Sequence, residues 1–220
     1  MLPERLKATF INDVSSEFLS DLIALLKGVY PEAHRQIYSQ YDFPEAHDAL
    51  GVNRRAMIEG SLRELSQRYP HMNATVRQNR KRTQNYTEVR SGRVILTTSC
   101  LHYPQSPLRL ADFRTRLVRR LQYSIKEIQE DSVVEGGAVF AVIAHGPQAG
   151  ERLRLDWKEL GFAFAGFPTI DGQSWEAQID LMKAYGHSSS AEDAETENIE
   201  DRISPTIRRK RDQERPETGG

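Results

Sequence analysis

Gly136-Gly-Ala-Val-Phe-Ala-Val-Ile-Ala-His-Gly-Pro147 contains the longest uncharged apolar run of the chain, the seven residues from Ala138 to Ala144. A helix that crosses a bilayer needs roughly 20 such residues, so the run predicts no membrane span. Seven β-branched, aromatic and small residues between a Gly pair and a Gly-Pro stop are the length of a strand, and the lack of polar alternation means that both its faces are covered. A covered strand needs neighbours on its edges and helices over its faces, and the flanking sequence supplies candidates for both. Downstream, Gly161-Phe-Ala-Phe-Ala-Gly-Phe167 reads as a strand with alternating aromatics, followed by a Pro168/Gly172 loop and a last helix from Ser174 or Trp175 to Tyr185. Upstream, Leu110 to about Glu130 has helical spacing through Phe113, Leu117, Leu121, Ile125 and Ile128.

Before that helix, Ala74 to Gln78, Tyr86 to Arg90 and Arg93 to Ser99 carry strand composition and predict a three-stranded meander, with Ser91-Gly92 as its second turn. The first third is helical. Val14, Phe18, Leu22, Leu25 and Leu26 recur at three- and four-residue steps, with Asn12 or Asp13 as N-cap and Gly28 just past the end. Tyr30-Pro-Glu-Ala-His34 and Phe43-Pro-Glu-Ala-His47 each read as a helix start, with Pro early and Glu in the first turn. Asn53 is placed to cap a further helix that Pro70 stops. The expected fold class is therefore α+β: a helical N-terminal region with the meander over residues 1–103, an α+β region over 104–187 packed on it, and a charged tail over 188–220 with too few apolar residues to order itself.

The formal net charge is −1, but it is distributed unevenly. Residues 52–120 hold 15 Lys/Arg against 4 Asp/Glu, a net +11, while the segments on either side are acidic. A block so charged persists if its cations face solvent, pair with carboxylates elsewhere in the fold, or meet a polyanion, and phosphate backbones are the commonest intracellular polyanion. The single cysteine, Cys100, excludes an intrachain disulfide and a multi-cysteine metal site. With no apolar leader before Asp13, this points to a reducing, cytoplasmic setting.

The segment Phe43-Pro-Glu-Ala-His-Asp-Ala-Leu-Gly-Val-Asn-Arg-Arg-Ala-Met-Ile58 resembles the core of a helix-turn-helix: a short helix to Leu50, a positive-φ turn at Gly51, Val52 beneath it, and Asn53 capping a second helix. His47 departs from the small residue usual there. The helix, strand, basic loop, strand order that follows is similar to that of winged helix-turn-helix DNA-binding proteins over residues 43–99. The resemblance implies that Asn53, Arg54 and Arg55 meet a groove and that Arg77, Arg80, Lys81 and Arg82 form a wing on phosphate. Arg116, Arg119 and Arg120, on one face of the next helix, extend that footprint; pairing with Asp112 and Glu127 is the alternative for the same face.

Other chemistry has thinner support. Cys100 and His102 lie two apart at a strand end, the spacing of one strand face, yet a lone buried cysteine explains the same residues. His34 and His47, with Glu32 and Glu45, lack a motif that fixes a metal, so neither metal nor cofactor is expected. Asp156-Trp157-Lys158 resembles the acid-x-lysine element of restriction-type nucleases, with Glu135 as a second carboxylate for Mg²⁺. The expected function is duplex-DNA binding by the mid-chain basic surface, in a regulator or a DNA-processing or defence assembly. The C-terminal half would dimerise or bind a protein. A Mg²⁺-dependent nuclease and a non-enzymatic adaptor for an acidic protein are the alternatives.

Overall fold

In the computed structural model, residues 2–79, 83–108, 111–126, 138–149, 155–169 and 171–186 are described. The tail expected to be disordered, the expected wing residues Arg80, Lys81 and Arg82, and Glu135 lie outside these residues, as does the side chain of Arg120. Three helices come first, α1 (Leu2–Asp13), α2 (Ser16–Tyr38) and α3 (Glu45–Gln67). Strands β1 (Met72–Gln78), β2 (Asn85–Ser91) and β3 (Val94–Cys100) follow, then α4 (Asp112–Lys126), β4 (Val139–Ala149), β5 (Leu155–Pro168), β6 (Trp175–Asp180) and the short α5 (Leu181–Tyr185). The fold is α+β. All six strands form one sheet in sequential order, antiparallel throughout except for the parallel pair β3–β4, whose connection contains α4. One sheet thus contains strands from both sides of residue 103, with β3 and β4 as neighbours.

Period-two alternation sorts the core onto the two faces. Val94 and Leu96 of β3 and Val139, Ala141 and Ile143 of β4 pack with α1, α2 and α3, while Ile95, Phe140, Val142 and Ala144 pack with Val118 of α4 and Phe164. Helices thus cover both faces, which is why the apolar run needed no polar alternation. Asp13 at the end of α1 pins the β2–β3 turn: its carboxylate accepts the Arg93 backbone N–H at 2.8 Å and two guanidinium bonds at 2.9 Å, and its carbonyl accepts the Ser91 hydroxyl. In that turn Gly92 has φ +52°, and a Cβ there would meet the Asp13 carboxylate at 2.8 Å.

Four helical expectations differ from the structure. The helix of residues 2–13 has no counterpart in the sequence reading; it is short, with Leu6 and Phe10 as its buried contacts. Helix α2 is capped by Ser15, whose hydroxyl accepts the Phe18 N–H, and it continues through Gly28 and Pro31 to Tyr38. Pro31 lies on the exposed face, so the carbonyl it leaves unbonded faces water, and burial of Val29, Tyr30, Ala33 and Ile37 carries the helix onward. The expected turn at Gly51 is likewise absent: α3 is unbroken from Glu45 to Gln67 and Gly51 does not take a positive φ. Ala46, Leu50, Arg54, Ile58 and Leu62 form a continuous buried stripe at four-residue steps, and one such stripe outweighs the roughly 1 kcal/mol that glycine costs within a helix. There is accordingly no helix-turn-helix in residues 43–58. The last expected helix is mostly β6, because Trp175 to Asp180 complete the edge of β5 with Trp175 edge-on to Phe164 at 5.2 Å.

Candidate functional site

Helix α3 lies over β1 and β2, and its consecutive arginines point in different directions, about 100° apart on a helix. Arg55 faces the β1–β2 hairpin, where Nη1 donates to Gln84 Oε1 at 2.7 Å and Nη2 to the Asn85 carbonyl at 2.9 Å. Asn79 closes the base of that hairpin, its Oδ1 accepting the Thr83 N–H at 2.9 Å and its own N–H donating to the Gln84 carbonyl at 2.9 Å. The sequence between Asn79 and Thr83 is Arg80-Lys81-Arg82. Arg77 stands in register with Tyr86 and is exposed, with Glu88 at 3.9 Å, the long end of ion-pair contact. Tyr86 stacks on Phe113 of α4 at 3.8 Å, so α4 brings Arg116 to the same place. Burial raises the pKa of the Tyr86 hydroxyl, nearby Glu88 adds to that, and the positive charges of Arg116 and Arg77 oppose it. Arg55, Arg77 and Arg116, from three separate elements, thus gather at one end of the sheet. Arg116 and Arg119 are both exposed and three residues apart, on one side of α4.

The flanking acidic segments take only part of this charge. Arg93 pairs with Asp13 at 2.9 Å, whereas Arg55 is held by neutral oxygens and Arg63 Nη1 donates to the Thr87 hydroxyl at 3.4 Å.

The sheet itself opens at this end. β2 pairs with β3 only from Val89 to Ser91, and Thr87 and Thr98, which the same register would set opposite each other, are joined instead through Glu59 of α3. One carboxylate oxygen accepts the Thr87 N–H at 2.5 Å and the other accepts the Thr98 hydroxyl at 3.1 Å. From the opposite face Arg114 Nη2 donates to the Thr98 carbonyl at 3.1 Å. A buried carboxylate fills the place of missing ladder bonds, which explains why two strands can diverge without stranding backbone donors.

Arg54 does not face a groove. It is 1 % exposed, with its guanidinium carbon 4.1 Å from the centre of the Tyr30 ring and 5.5 Å from that of Trp157. Its Nη2 donates to the Trp157 carbonyl. The helix-turn-helix resemblance placed Arg54 on DNA; the buried stripe of the unbroken helix places it inside. Asn53, its neighbour, is half-buried and donates to Met57 Sδ at 3.6 Å, an in-helix contact rather than a cap. Beside Arg54, the Tyr30 hydroxyl and His145 Nδ1 share a hydrogen bond of 2.9 Å. His145 is fully buried next to a cation, and both burial and the Arg54 charge hold its proton affinity down to a pKa of about 3, so the imidazole is neutral. Burial is also the main cause that keeps the Tyr30 hydroxyl protonated.

Cys100 is exposed rather than buried, opposite His145 in the parallel register, with its Sγ 3.9 Å from the Tyr30 hydroxyl. His102 is edge-on to Trp157 at 5.6 Å. Asp156 and Lys158 are exposed and bonded to each other only locally, Asp156 Oδ1 accepting the Lys158 N–H at 2.8 Å. No group of three or more His, Cys, Asp or Glu side chains able to hold a metal occurs among the described residues. No helix among them is long and apolar enough to cross a membrane. Comparison of the chain with protein-family models, with curated proteins and with solved structures finds no match.

Proposed function

We propose that the protein binds nucleic acid, duplex DNA in the first instance, through the cationic end of the sheet. The supporting observation is that Arg77 and Arg116 come together at Tyr86, on the hairpin that Arg55 ties to α3, and that the sequence between its two strands includes Arg80-Lys81-Arg82. Cations delivered to one place by a helix, a strand and a second helix, with neutral partners or a distant carboxylate, repel one another unless a polyanion is present. Arg55 holds the hairpin to α3 and acts as a positioning residue, while Arg77, Arg116 and Arg119 are the exposed contacts to phosphate. Asn53 and Arg54 have no part in it. Phosphate contact carries affinity and a steep salt dependence but little sequence information. Measured on duplex DNA, binding should weaken steeply with salt, and Arg77→Ala/Arg116→Ala/Arg119→Ala should weaken it on all sequences alike. Retention of full affinity by that folded variant would remove the reading.

A further inference from the structure

Arg54 and its surroundings form a second constellation, on the side of α3 away from the hairpin. A guanidinium has five N–H donors. On Arg54, Nε and Nη1 are buried without a hydrogen-bond partner, so three of those five are unmet. A buried arginine is ordinarily matched by a carboxylate, and here two aromatic rings stand in the place of one. Cation–π contact offsets part of the desolvation but satisfies no N–H group.

The wall over Arg54 is irregular. β5 pairs Leu160 with Pro147 and Asp156 with Gln148, so Trp157, Lys158 and Glu159 have no partners on β4 and form a bulge. Bulges re-aim side chains and free backbone groups from the ladder. This one turns the Trp157 carbonyl and ring onto Arg54 and leaves Lys158 exposed at the rim. His47 and His102 are both exposed and edge-on to Trp157, at 6.0 and 5.6 Å. Lys158 follows the residue whose carbonyl Arg54 holds, and the proton affinity of His34 is lowered, by burial first, then by the charges of Lys158 and Arg54, with Asp156 acting in the opposite sense. Tyr30, on whose ring Arg54 lies, meets His145 of β4 and Cys100 at the end of β3.

We propose that Arg54, with Lys158 at the rim, binds the phosphate group of a phosphate monoester. Two cations suit a dianion better than a single carboxylate, and the planar guanidinium matches phosphate oxygens. The group can come from free phosphate or from the 5′ end of a nucleic acid. The inference is independent of the interface proposed above and uses none of its residues.

Thermal unfolding of the full chain tests it, at constant ionic strength, with sodium phosphate, sodium acetate or sodium chloride, and separately with a short oligonucleotide carrying or lacking a 5′-phosphate. At ten times the dissociation constant, a ligand raises Tm by roughly 3–6 °C in a domain of this size. The expected result is a rise with phosphate or with the 5′-phosphorylated oligonucleotide, none with acetate or chloride, and loss of the rise in Arg54→Met. A rise with the phosphorylated oligonucleotide alone identifies the nucleic-acid end as the source. Lys158→Ala, an exposed change, should weaken binding several-fold without altering the unliganded Tm, and it serves if Arg54→Met does not fold. Arg77→Ala/Arg116→Ala/Arg119→Ala should keep the full rise. An unchanged Tm with every phosphate probe, or a full rise in both Arg54→Met and Lys158→Ala, overturns the proposal.

Discussion

Glu59→Ala should destabilise the protein by roughly 2–4 kcal/mol. Two effects oppose each other there. Removing a buried carboxylate recovers its desolvation penalty, and such replacements are sometimes neutral when the whole charge group goes. At Glu59 only one member goes: the Thr87 N–H, on a residue with 0 % exposure, loses its acceptor, and so does the Thr98 hydroxyl. An unmet buried backbone donor costs about 1–3 kcal/mol and a hydroxyl about 1 more. The stranded donors therefore outweigh the recovered desolvation. Glu59→Gln can keep its oxygen on the Thr87 N–H and turn its amide to the Thr98 hydroxyl, which accepts as well as donates, so the expected loss is smaller, about 1 kcal/mol. Urea denaturation gives both values as midpoint shifts at unchanged slope, and hydrogen exchange at the Thr87 amide reports the fork directly. A Glu59→Ala protein within about 0.5 kcal/mol of the parent, with Thr87 protection intact, would refute the view that this carboxylate replaces ladder bonds.

Other substitutions test other parts of the fold. Gly51→Ala should stabilise by about 0.5–1 kcal/mol, since the position is an exposed helix interior with open space around an added Cβ; a turn at Gly51 would give the opposite sign in the same denaturation experiment. Gly92→Ala should cost about 1 kcal/mol or more because φ is positive and the new methyl meets Asp13, which a lowered Tm would register. His145 is neutral when folded down to a pKa of about 3, whereas the unfolded chain protonates it near pH 6.5. The unfolded state therefore binds more protons between those values, and stability falls as pH drops through that window, by about 2 kcal/mol at pH 5 relative to neutral pH. His145→Gln should flatten that limb, and parallel acid-denaturation curves for the two proteins would count against burial of a neutral imidazole.

The sheet was more legible than the helices, for a physical reason. Strand composition and turn residues are local, so the meander from Ala74 to Ser99 and the run Ala138–Ala144 could be read from their own residues. Helix breaks were read from Gly28, Pro31 and Gly51, whose local preferences were overridden by buried stripes that extend well beyond them. The same override hid Arg54. Once residues 45–67 are treated as one helix, the four-residue stripe through Ala46, Leu50, Ile58 and Leu62 places Arg54 in the core, whereas a break at Gly51 turns it outward. Glu59 and Tyr30 could not have been found from spacing, because each becomes significant only through a residue far along the chain: Glu59 through Thr98 and Tyr30 through His145. Of the cations expected to meet phosphate, Arg77, Arg116 and Arg119 are exposed, Arg55 is tied to the hairpin, and Arg54 faces inward.

Duplex-DNA affinity measured across a range of salt concentrations tests the proposed interface most directly. Each phosphate neutralised on B-DNA contributes about −0.9 to the slope of log K against log salt. Arg77, Arg116 and Arg119 together with Arg80, Lys81 and Arg82 give a slope of about −5, which Arg77→Ala/Arg116→Ala/Arg119→Ala should make shallower by about 3. Absence of binding at low salt, or the same slope in the folded variant, would contradict a phosphate-binding role for this end of the sheet.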